Sequence, residues 1–270
     1  MNNIPAVLSI AGTDPSGGAG IHADLKTFQE CTAYGMAAVT TVVAQNTEGV
    51  RDVWHVPVEM VEKQIRSVFE DIRPSAVKTG MIATPEMMKR IAAILKEEKV
   101  DIVIDPVMVA TSGDSLMEKE TAQIMKEQLL PLAAVVTPNL EEAEKLTGLT
   151  INSENSAKEA AKILVEEFGC RASVVKGGHL HGKATDILYT NGEFRIFRAS
   201  RSNTKNTHGT GCTFSAAIAA KLARGHTVYQ AVEESKDFIS KAIKDTLGLG
   251  KGSGPVNHWA SRIELEKIKR

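Results

Sequence analysis

The sequence has 270 residues, with 43% hydrophobic and 24% charged residues and a formal net charge of −1. This balance is typical of a globular chain with a sizeable core, and its near neutrality gives no electrostatic reason to expect nucleic acid or a membrane surface as a partner. No apolar run approaches the ~18 residues that span a bilayer. The first residues lack the basic segment of a secretory signal, so we expect a cytoplasmic protein.

The cysteines argue against two further classes. Cys31, Cys170 and Cys212 are widely spaced, odd in number and form no Cys-x-x-Cys pair. They predict neither a disulfide framework nor a metal site.

Short apolar runs alternate with longer helical patterns along the chain. In chain order the predicted strands are 6–11, 37–44, 76–79, 102–104, 133–136 and 172–176. The predicted helices lie near 21–30, 58–71, 85–99, 119–130, 140–147 and 156–168. Segments 185–190 and 194–198 flank Asn191-Gly192, a strong hairpin signal. Apolar strands separated by amphipathic helices indicate an α/β fold with a mostly parallel sheet covered on both faces. Without a visible repeat or linker, one domain over 1–270 is the simplest prediction.

Polar or glycine residues follow each of the six predicted strands. In open α/β sheets, ligands bind beyond the carboxyl ends of the strands. We expect these groups to meet at one active-site edge: Gly12-Thr13-Asp14, Gln45-Asn46-Thr47, Gly80-Met81, Asp105-Pro106, Pro138-Asn139 and Gly177-Gly178-His179.

The most informative stretch is Asn206-Thr207-His208-Gly209-Thr210-Gly211-Cys212-Thr213, followed by a helical run of small residues. Two glycines before a helix suit an anion-binding N-terminus, where backbone N–H groups and the helix dipole face a phosphate. Cys212 then stands beside the bound anion as a nucleophile or a base. The pattern indicates phosphoryl transfer.

A second glycine-rich stretch, residues 14–24, contains a Gly-x-Gly-x-x-Ala match at 18–23. It is a weak dinucleotide fingerprint, because the first strand ends too early and no acidic residue ends the next strand. A Walker-type Gly-Lys-Ser/Thr loop is absent from the sequence. The loop is either a tight surface turn or a place where Gly12 and Gly18 admit a flat substrate that Asp24 hydrogen-bonds. Asp24 also suits an early helix position without any ligand.

These motifs, taken in order, resemble the hydroxymethylpyrimidine and phosphomethylpyrimidine kinases of thiamine biosynthesis, in the ribokinase-like superfamily. The resemblance spans nearly the whole chain through Ala11–Phe28, Val43–Thr47, Lys78–Met81, Asp105–Met108, Thr137–Glu142, Lys176–His179 and Asn203–Thr213. It implies a single-domain ribokinase-like fold, ATP and Mg²⁺ as cofactors, and a homodimer.

The resemblance also implies catalytic roles. Gly209, Thr210 and Gly211 would form the anion hole, and Cys212 would be the base where the superfamily usually has aspartate. We expect the helix N-terminus and nearby cations to lower the pKa of Cys212 from its ordinary ~8.5. The alternative is a small buried apolar residue, the usual state of free cysteine.

For the nucleotide, the resemblance implies that Lys176, Asn139 and Asp105 lie near the phosphates and that Glu142 and Asp105 organise Mg²⁺. Oxygen ligands with retained water suit magnesium. Carboxylates at a helix N-terminus have a structural explanation as well. His179 and His208 contact phosphate or merely cap loops.

For the substrate, Gln45 is the leading residue, since an amide matches the adjacent donor and acceptor of an aminopyrimidine. A mostly apolar slot around the ring would be completed by Gly12, Asp24, Val43, Met81 and Val107. Residues 109–114 are either a lid that excludes water or an ordinary surface loop.

The predicted function is ATP- and Mg²⁺-dependent phosphorylation of 4-amino-5-hydroxymethyl-2-methylpyrimidine, and then of its monophosphate. The alternative on the same scaffold is pyridoxal or pyridoxine kinase. Ala110 weakens that alternative, because the dual-cysteine members of that group carry a cysteine in the lid. A non-catalytic sensor or a dinucleotide oxidoreductase fits less well, since the anion-hole glycines and Cys212 remain and the dinucleotide fingerprint is incomplete.

Overall fold

The computed structural model describes residues 4–108, 119–178 and 184–262. Its strands are β1 Ala6–Ala11, β2 Tyr34–Val39, β3 Thr41–Asn46, β4 Gly49–His55, β5 Ala76–Thr79, β6 Asp101–Ile104, β7 Val135–Val136, β8 Ala172–Gly177, β9 Ala184–Thr190 and β10 Glu193–Ala199. Its α-helices are α1 Gly20–Glu30, α2 Val58–Asp71, α3 Pro85–Glu98, α4 Lys119–Ile124, α5 Leu140–Thr147, α6 Glu154–Glu166, α7 Thr210–Ala223 and α8 Val228–Lys244.

A central sheet organises the described residues, with the strand order β10-β9-β8-β7-β6-β5-β1-β2. The strands from β2 across to β8 pair in parallel, whereas β9 and β10 are antiparallel. Every residue of β1 is buried, as expected for a strand covered on both faces. The predicted mostly parallel sheet is confirmed.

Helices cover both faces of this sheet. One hydrophobic cluster packs α2, α3, α5 and α6 against the strands and includes Phe69, Met88 and Leu164. The other packs α1, α7 and α8 on the opposite face and includes Phe28 and Phe214. The neighbouring residues of each strand alternate between the two clusters, as the period of two in a strand requires.

The predicted strand 37–44 is wrong, because the chain breaks into β2 and β3 at Thr40. The Thr40 side chain donates a hydrogen bond to the Met81 carbonyl at 2.8 Å. β3 then leaves the central sheet and pairs antiparallel with β4 in a separate two-stranded sheet, with a register shift between Ala44 and Gln45. The sequence did not predict β4, whose residues are mostly exposed and lack an apolar alternation.

Two other segments refine the predictions. The helix predicted over 119–130 is α-helical only to Ile124 and continues as a π-helical turn, Met125–Leu129, and a 3₁₀ turn, Leu130–Leu132. Pro131 lacks the N–H donor that a continuing α-helix needs. The predicted hairpin is confirmed: Asn191 and Gly192 both adopt positive φ between β9 and β10, as a two-residue turn requires.

Helix α7 lies in the middle of the structure. Residues 213–222 are all buried, which is expected for a helix that is apolar on every side. It packs against α1, α8 and strands β1, β5 and β6. This packing brings its N-terminus to the carboxyl ends of the parallel strands. Among the described helices, none is long and apolar enough to cross a bilayer.

Candidate active site

A cavity of about 210 Å³ lies at the carboxyl ends of the strands, against the N-terminus of α7. Most of the site residues predicted from the sequence line this cavity: Gly12, Val43, Gln45, Met81, Asp105, Val107, Asn139, Glu142, Lys176, Gly209, Thr210, Gly211 and Cys212. Asp24 and Gly18 do not line it. Several strand ends and both glycine-rich loops thus border one cavity. The roles of the individual residues remain predictions.

The turn into α7 depends on two glycines. Gly209 precedes the helix with φ 77° and ψ 10°, a left-handed conformation that favours glycine. A Cβ there would overlap the Gly18 carbonyl oxygen. At Gly211 a Cβ would lie 3.2 Å from the Lys176 Nζ, so the missing side chain lets a charged group approach the helix start. In this first turn the Thr210 N–H donates to the Thr207 carbonyl and the Thr213 N–H donates to the Gly209 carbonyl. The N–H groups of Gly211 and Cys212 are therefore the ones available to an anion.

Asp14 holds the two glycine loops together, a function that the sequence did not predict. Its carboxylate accepts hydrogen bonds from the Gly18 N–H at 3.0 Å and the Ala19 N–H at 2.7 Å. The His208 Nε2 lies 2.8 Å from the same carboxylate oxygen. Burial acts to raise the pKa of Asp14, but hydrogen bonds from His208 and Gln45 hold it well below its usual range. This ionised carboxylate fixes the first loop against the start of α7.

The surroundings of Cys212 differ from the expectation. Burial raises the pKa of the Cys212 thiol to about 11, and Asp105 and Asp24 add to the rise. Lys78 and the Gly20 N–H act in the opposite direction but do not compensate. The predicted lowering of this pKa is therefore wrong for the ligand-free protein, since burial and two carboxylates outweigh the nearby cation.

The other cysteines behave as expected for ordinary buried residues. Cys31 and Cys170 are buried, and burial raises the pKa of their thiols to about 11 and about 12. Neither lines the cavity.

Asp24 is placed differently from the prediction of a direct substrate contact. It is fully buried behind the cavity wall, where Lys78 Nζ donates to its two carboxylate oxygens at 2.9 and 2.8 Å. Ser9 Oγ donates to it as well, at 2.6 Å. Lys78 itself lines the cavity and was not predicted. A lysine inside the otherwise apolar strand 76–79 is the sequence signal that could have indicated it.

A second ion pair lies beside the helix N-terminus. Lys176 Nζ lies 3.2 Å from Asp105 Oδ1, and both side chains are largely buried. The other Asp105 oxygen accepts a weak hydrogen bond from Ser215 Oγ of α7 at 3.4 Å. The pair gives the cavity a fixed positive and a fixed negative group beside Gly211.

Glu142 combines the two roles that the sequence left open. Its carboxylate accepts from the Asn139 N–H at 2.8 Å, and the Asn139 side chain accepts from the Glu142 N–H at 2.8 Å, which caps α5. Burial raises the pKa of Glu142 to about 7, although Lys176 acts to lower it. Glu142 is thus both a helix cap and a buried acidic group at the cavity wall.

The remaining wall is mainly apolar and lies on the side of the two-stranded sheet. Val43 and Gln45 come from β3, and Val50 and Val53 come from β4, which was missed in the sequence. Met81 approaches so closely that a Cβ on Gly12 would lie 2.8 Å from its terminal methyl group. The Gln45 amide lies at the bulge of β3 and reaches Asp14. The predicted lid 109–114, with Ala110, and His179 lie outside the described residues.

A phosphate-binding helix start beside an apolar slot for a small acceptor, on a mostly parallel sheet, is the arrangement of small-molecule kinases of the ribokinase-like class. The sequence profile of the phosphomethylpyrimidine kinase family matches residues 14–257. The chain belongs to that family.

Individual relatives agree with this assignment. The hydroxymethylpyrimidine/phosphomethylpyrimidine kinase of Staphylococcus aureus strain Mu50 is 51% identical over 256 residues, covering 94% of this chain and 93% of its own. A Bacillus subtilis pyridoxal kinase solved as an ADP complex superposes with a TM-score of 0.90 at 40% identity, covering 97% of this chain and all of its own. The S. aureus pyridoxal kinase solved with AMP-PCP and pyridoxal gives 0.89 at 38% identity, with 96% and 95% coverage. The predicted family, fold class and kinase class are confirmed.

Proposed function

We propose that this kinase transfers the γ-phosphoryl group of ATP to 4-amino-5-hydroxymethyl-2-methylpyrimidine, and then a second phosphoryl group to the resulting monophosphate. The observation that carries the proposal is the division of the cavity. Gln45, Val43, Val50 and Val53 come from the two-stranded sheet that follows β2, whereas Asp105 and Lys176 come from the ends of β6 and β8, farther along the central sheet. The S. aureus relative named for the pyrimidine supports the acceptor side. The pyridoxal kinases solved with ADP or AMP-PCP support the nucleotide side.

In the first transfer, Cys212 acts on the hydroxymethyl group. Its thiolate accepts the hydroxyl proton while the oxygen attacks the γ-phosphorus; the new O–P bond forms, the bond to the bridging oxygen breaks, and ADP leaves with that electron pair. N–H groups of Gly211 and Cys212 and the ammonium of Lys176 stabilise the charge on the transferred group. Burial raises the pKa of the Cys212 thiol to about 11 in the ligand-free protein, so formation of the thiolate depends on nearby positive charge.

The second transfer makes a different demand. A phosphate monoester already carries an anionic oxygen near neutral pH, so its attack needs no proton acceptor. The two steps therefore share the anion-binding glycines and Lys176, while only the alcohol step needs Cys212. This difference makes the role of the thiol testable within one enzyme.

Magnesium fits the donors at the nucleotide side. Asp105 and Glu142 offer carboxylate oxygens at the cavity wall, and Mg²⁺ is usually held by one or two carboxylates together with water and substrate phosphates. Among the described residues no group of three or more His, Cys, Asp or Glu side chains could hold a metal ion. When bound there, the ion would neutralise charge on the phosphates.

A second candidate is pyridoxal kinase. It is favoured by the structural neighbours, since the two superposed enzymes with TM-scores of 0.90 and 0.89 are pyridoxal kinases. Gln45 favours the pyrimidine, because its amide can donate to a ring nitrogen and accept from the adjacent exocyclic amine.

The test is ATP-dependent turnover of the hydroxymethylpyrimidine, its monophosphate and pyridoxal, measured side by side with one preparation. The proposal expects the highest kcat/KM values for the two pyrimidines. Preferential turnover of pyridoxal would overturn it.

A Cys212→Ala variant addresses the mechanism, with Cys170→Ala as the control for losing a buried thiol away from the cavity. We expect Cys212→Ala to lose the alcohol step by about 100-fold or more, the usual contribution of a positioned base, and to keep the monophosphate step. Full retention of the alcohol step would show that Cys212 is not the base.

The predicted homodimer belongs to the same proposal. Val42 and Trp54 are cross-strand partners on the two-stranded sheet, and both are exposed, as is Tyr34 on the edge strand β2. Exposed apolar side chains on adjacent strands, such as Val42 and Trp54, are typical of a contact with another chain. Light scattering should give twice the mass of one chain for the wild type and the mass of one chain for Trp54→Lys. A monomeric wild type would contradict the predicted homodimer.

The single kinase domain over 1–270 and the cytoplasmic location remain predictions.

A further inference from the structure

A fully buried ion pair lies directly behind the acceptor side of the cavity. Lys78 and Asp24 both have no exposed side-chain surface, and Lys78 contacts both oxygens of the Asp24 carboxylate. The Ser9 hydroxyl also donates a hydrogen bond to one of those oxygens. Removing two charges from water is costly, and apolar residues of similar volume often stabilise a fold equally well. Stability alone therefore does not explain the pair.

The pair is arranged so that the lysine, and not the aspartate, borders the cavity. Lys78 lines the cavity together with Cys212, whereas Asp24 does not. Gly80 makes room for the ammonium, since a Cβ there would lie 3.0 Å from Lys78 Nζ. Asp24 and Ser9 hold the head group in place from the other side. The proposed transfer steps leave this lysine without a role.

Several charged or polar groups influence the Cys212 thiol electrostatically. They are Asp24 and the Gly20 N–H on α1, Lys78 on β5, Asp105 at the end of β6 and Lys176 on β8, and Lys78, Asp105 and Lys176 line the same cavity as Cys212. Lys176 is paired with Asp105 at the nucleotide side. The carboxylates of Asp24 and Asp105 disfavour a thiolate, so its formation depends on the cations.

We propose that Lys78 is a positioning residue that Asp24 and Ser9 hold beside Cys212, where its fixed positive charge favours the thiolate that accepts the alcohol proton. The inference rests on the proposed role of Cys212. In this arrangement Lys78 takes no proton and forms no bond to substrate; it acts through the thiol. Its contribution belongs to the alcohol step and not to the monophosphate step.

Alkylation of Cys212 by iodoacetamide tests the proposal without any substrate. The two variants are Lys78→Met and the double variant Asp24→Asn/Lys78→Met, which avoids leaving an unpaired buried carboxylate. Lys236→Met is the matched control: Lys236 pairs with the buried Asp186 at 2.6 Å, and neither residue lines the cavity. Mass spectrometry separates the modified peptide from those of the other cysteines, and thermal unfolding confirms that each variant is folded.

Both Lys78 variants should alkylate more slowly at Cys212 than the wild type. For Lys78→Met, a rise of about one unit in the pKa of Cys212 would cut the fraction of thiolate about tenfold. A more basic thiolate is also a better nucleophile, so the rate of alkylation should fall only about threefold. The double variant should show a smaller slowing, because it also removes the Asp24 charge. Lys236→Met should react at the wild-type rate.

Turnover supplies the second measurement. Both Lys78 variants should lower kcat for the alcohol relative to kcat for the monophosphate, and raising the pH should restore part of the loss. Unchanged alkylation together with an unchanged ratio of the two steps, or an equal loss of both steps, would overturn the proposal. Cys212→Ala keeps the two proposals distinguishable. If it retains the alcohol step, the base assignment fails. If it loses that step while the Lys78 variants behave like wild type, only the inference about Lys78 fails.

Discussion

Gly209→Ala is the sharpest test of the anion-binding turn. The variant adds one methyl group where the chain has positive φ and where the Gly18 carbonyl oxygen occupies the space of a Cβ. Gly148→Ala is a close control: Gly148 follows α5 with φ 77° and ψ 4°, nearly the same conformation, yet a Cβ there meets nothing within 4 Å. The pair of variants separates backbone strain from steric overlap.

The expected losses of stability follow from the backbone strain and the steric overlap. A left-handed conformation costs a non-glycine residue about 1 kcal/mol, so Gly148→Ala should lose about that much stability. Overlap with the backbone of Gly18 adds about 1–3 kcal/mol, so Gly209→Ala should lose about 2–4 kcal/mol. The lower entropy of the unfolded chain is common to both variants and cancels in the comparison.

Activity should fall more steeply than stability. Relieving the overlap moves the loop at Gly18 away from the start of α7, and a displacement of about 1 Å in a phosphoryl-binding site costs about 100-fold in rate. Both transfers should fall together, because both use the anion-binding turn. Urea unfolding gives the stability, and ATP-dependent turnover of the alcohol and the monophosphate gives the rates. A Gly209→Ala enzyme that matches Gly148→Ala in both measurements would refute the reasoning.

Three further predictions follow from the buried polar groups. Glu142→Gln keeps an acceptor for the Asn139 N–H but does not ionise. Because burial raises the pKa of Glu142 to about 7, the wild type loses stability as the pH rises from 4.5 to 7. The free energy of unfolding of Glu142→Gln, compared with that of the wild type, should therefore increase by more than about 1 kcal/mol between pH ~5 and ~8. His258 lies 3.1 Å from Thr213 Oγ1, and burial lowers its pKa to about 4. The folded protein therefore loses stability as the pH falls from 6.5 to 4. In acid denaturation His258→Gln should lessen that loss, and identical pH profiles of the variant and the wild type would contradict the prediction. Gln45→Met should raise KM for the pyrimidine alcohol about tenfold or more, since a buried polar contact is lost, and an unchanged KM would exclude Gln45 as the substrate reader.

The parallel part of the fold could be predicted because its signal is local. β1 is apolar except for Ser9, and amphipathic helices separate the strands that follow it. The break at Thr40 could not be predicted in this way, since it depends on a hydrogen bond to Met81, 41 residues away. β4 was missed because it pairs only with β3 in a small sheet and leaves most of its residues in solvent.

The site shows the same limit. Gly209, Lys176 and Gln45 could be predicted because strand ends and glycines before a helix are visible in the sequence. The bond between Lys78 and Asp24 joins residues 54 positions apart, so the sequence indicated a carboxylate but not what it holds. The thiol pKa was predicted in the wrong direction for a related reason. The sequence shows the nearby helix start, whereas burial and the approach of two carboxylates are properties of the folded chain.

The pairing of charges in the cavity bears on how a triphosphate is bound. Among the described residues that line it, each lysine has a carboxylate partner: Lys78 pairs with Asp24, and Lys176 pairs with Asp105. Glu142 adds a further acidic group at the same wall. The side chains therefore bring no net positive charge to a strongly anionic ligand, and the backbone N–H groups at the start of α7 supply only partial charges. A proposed Mg²⁺ would provide the missing positive charge, while the paired lysines fix where the charge on the transferred group develops.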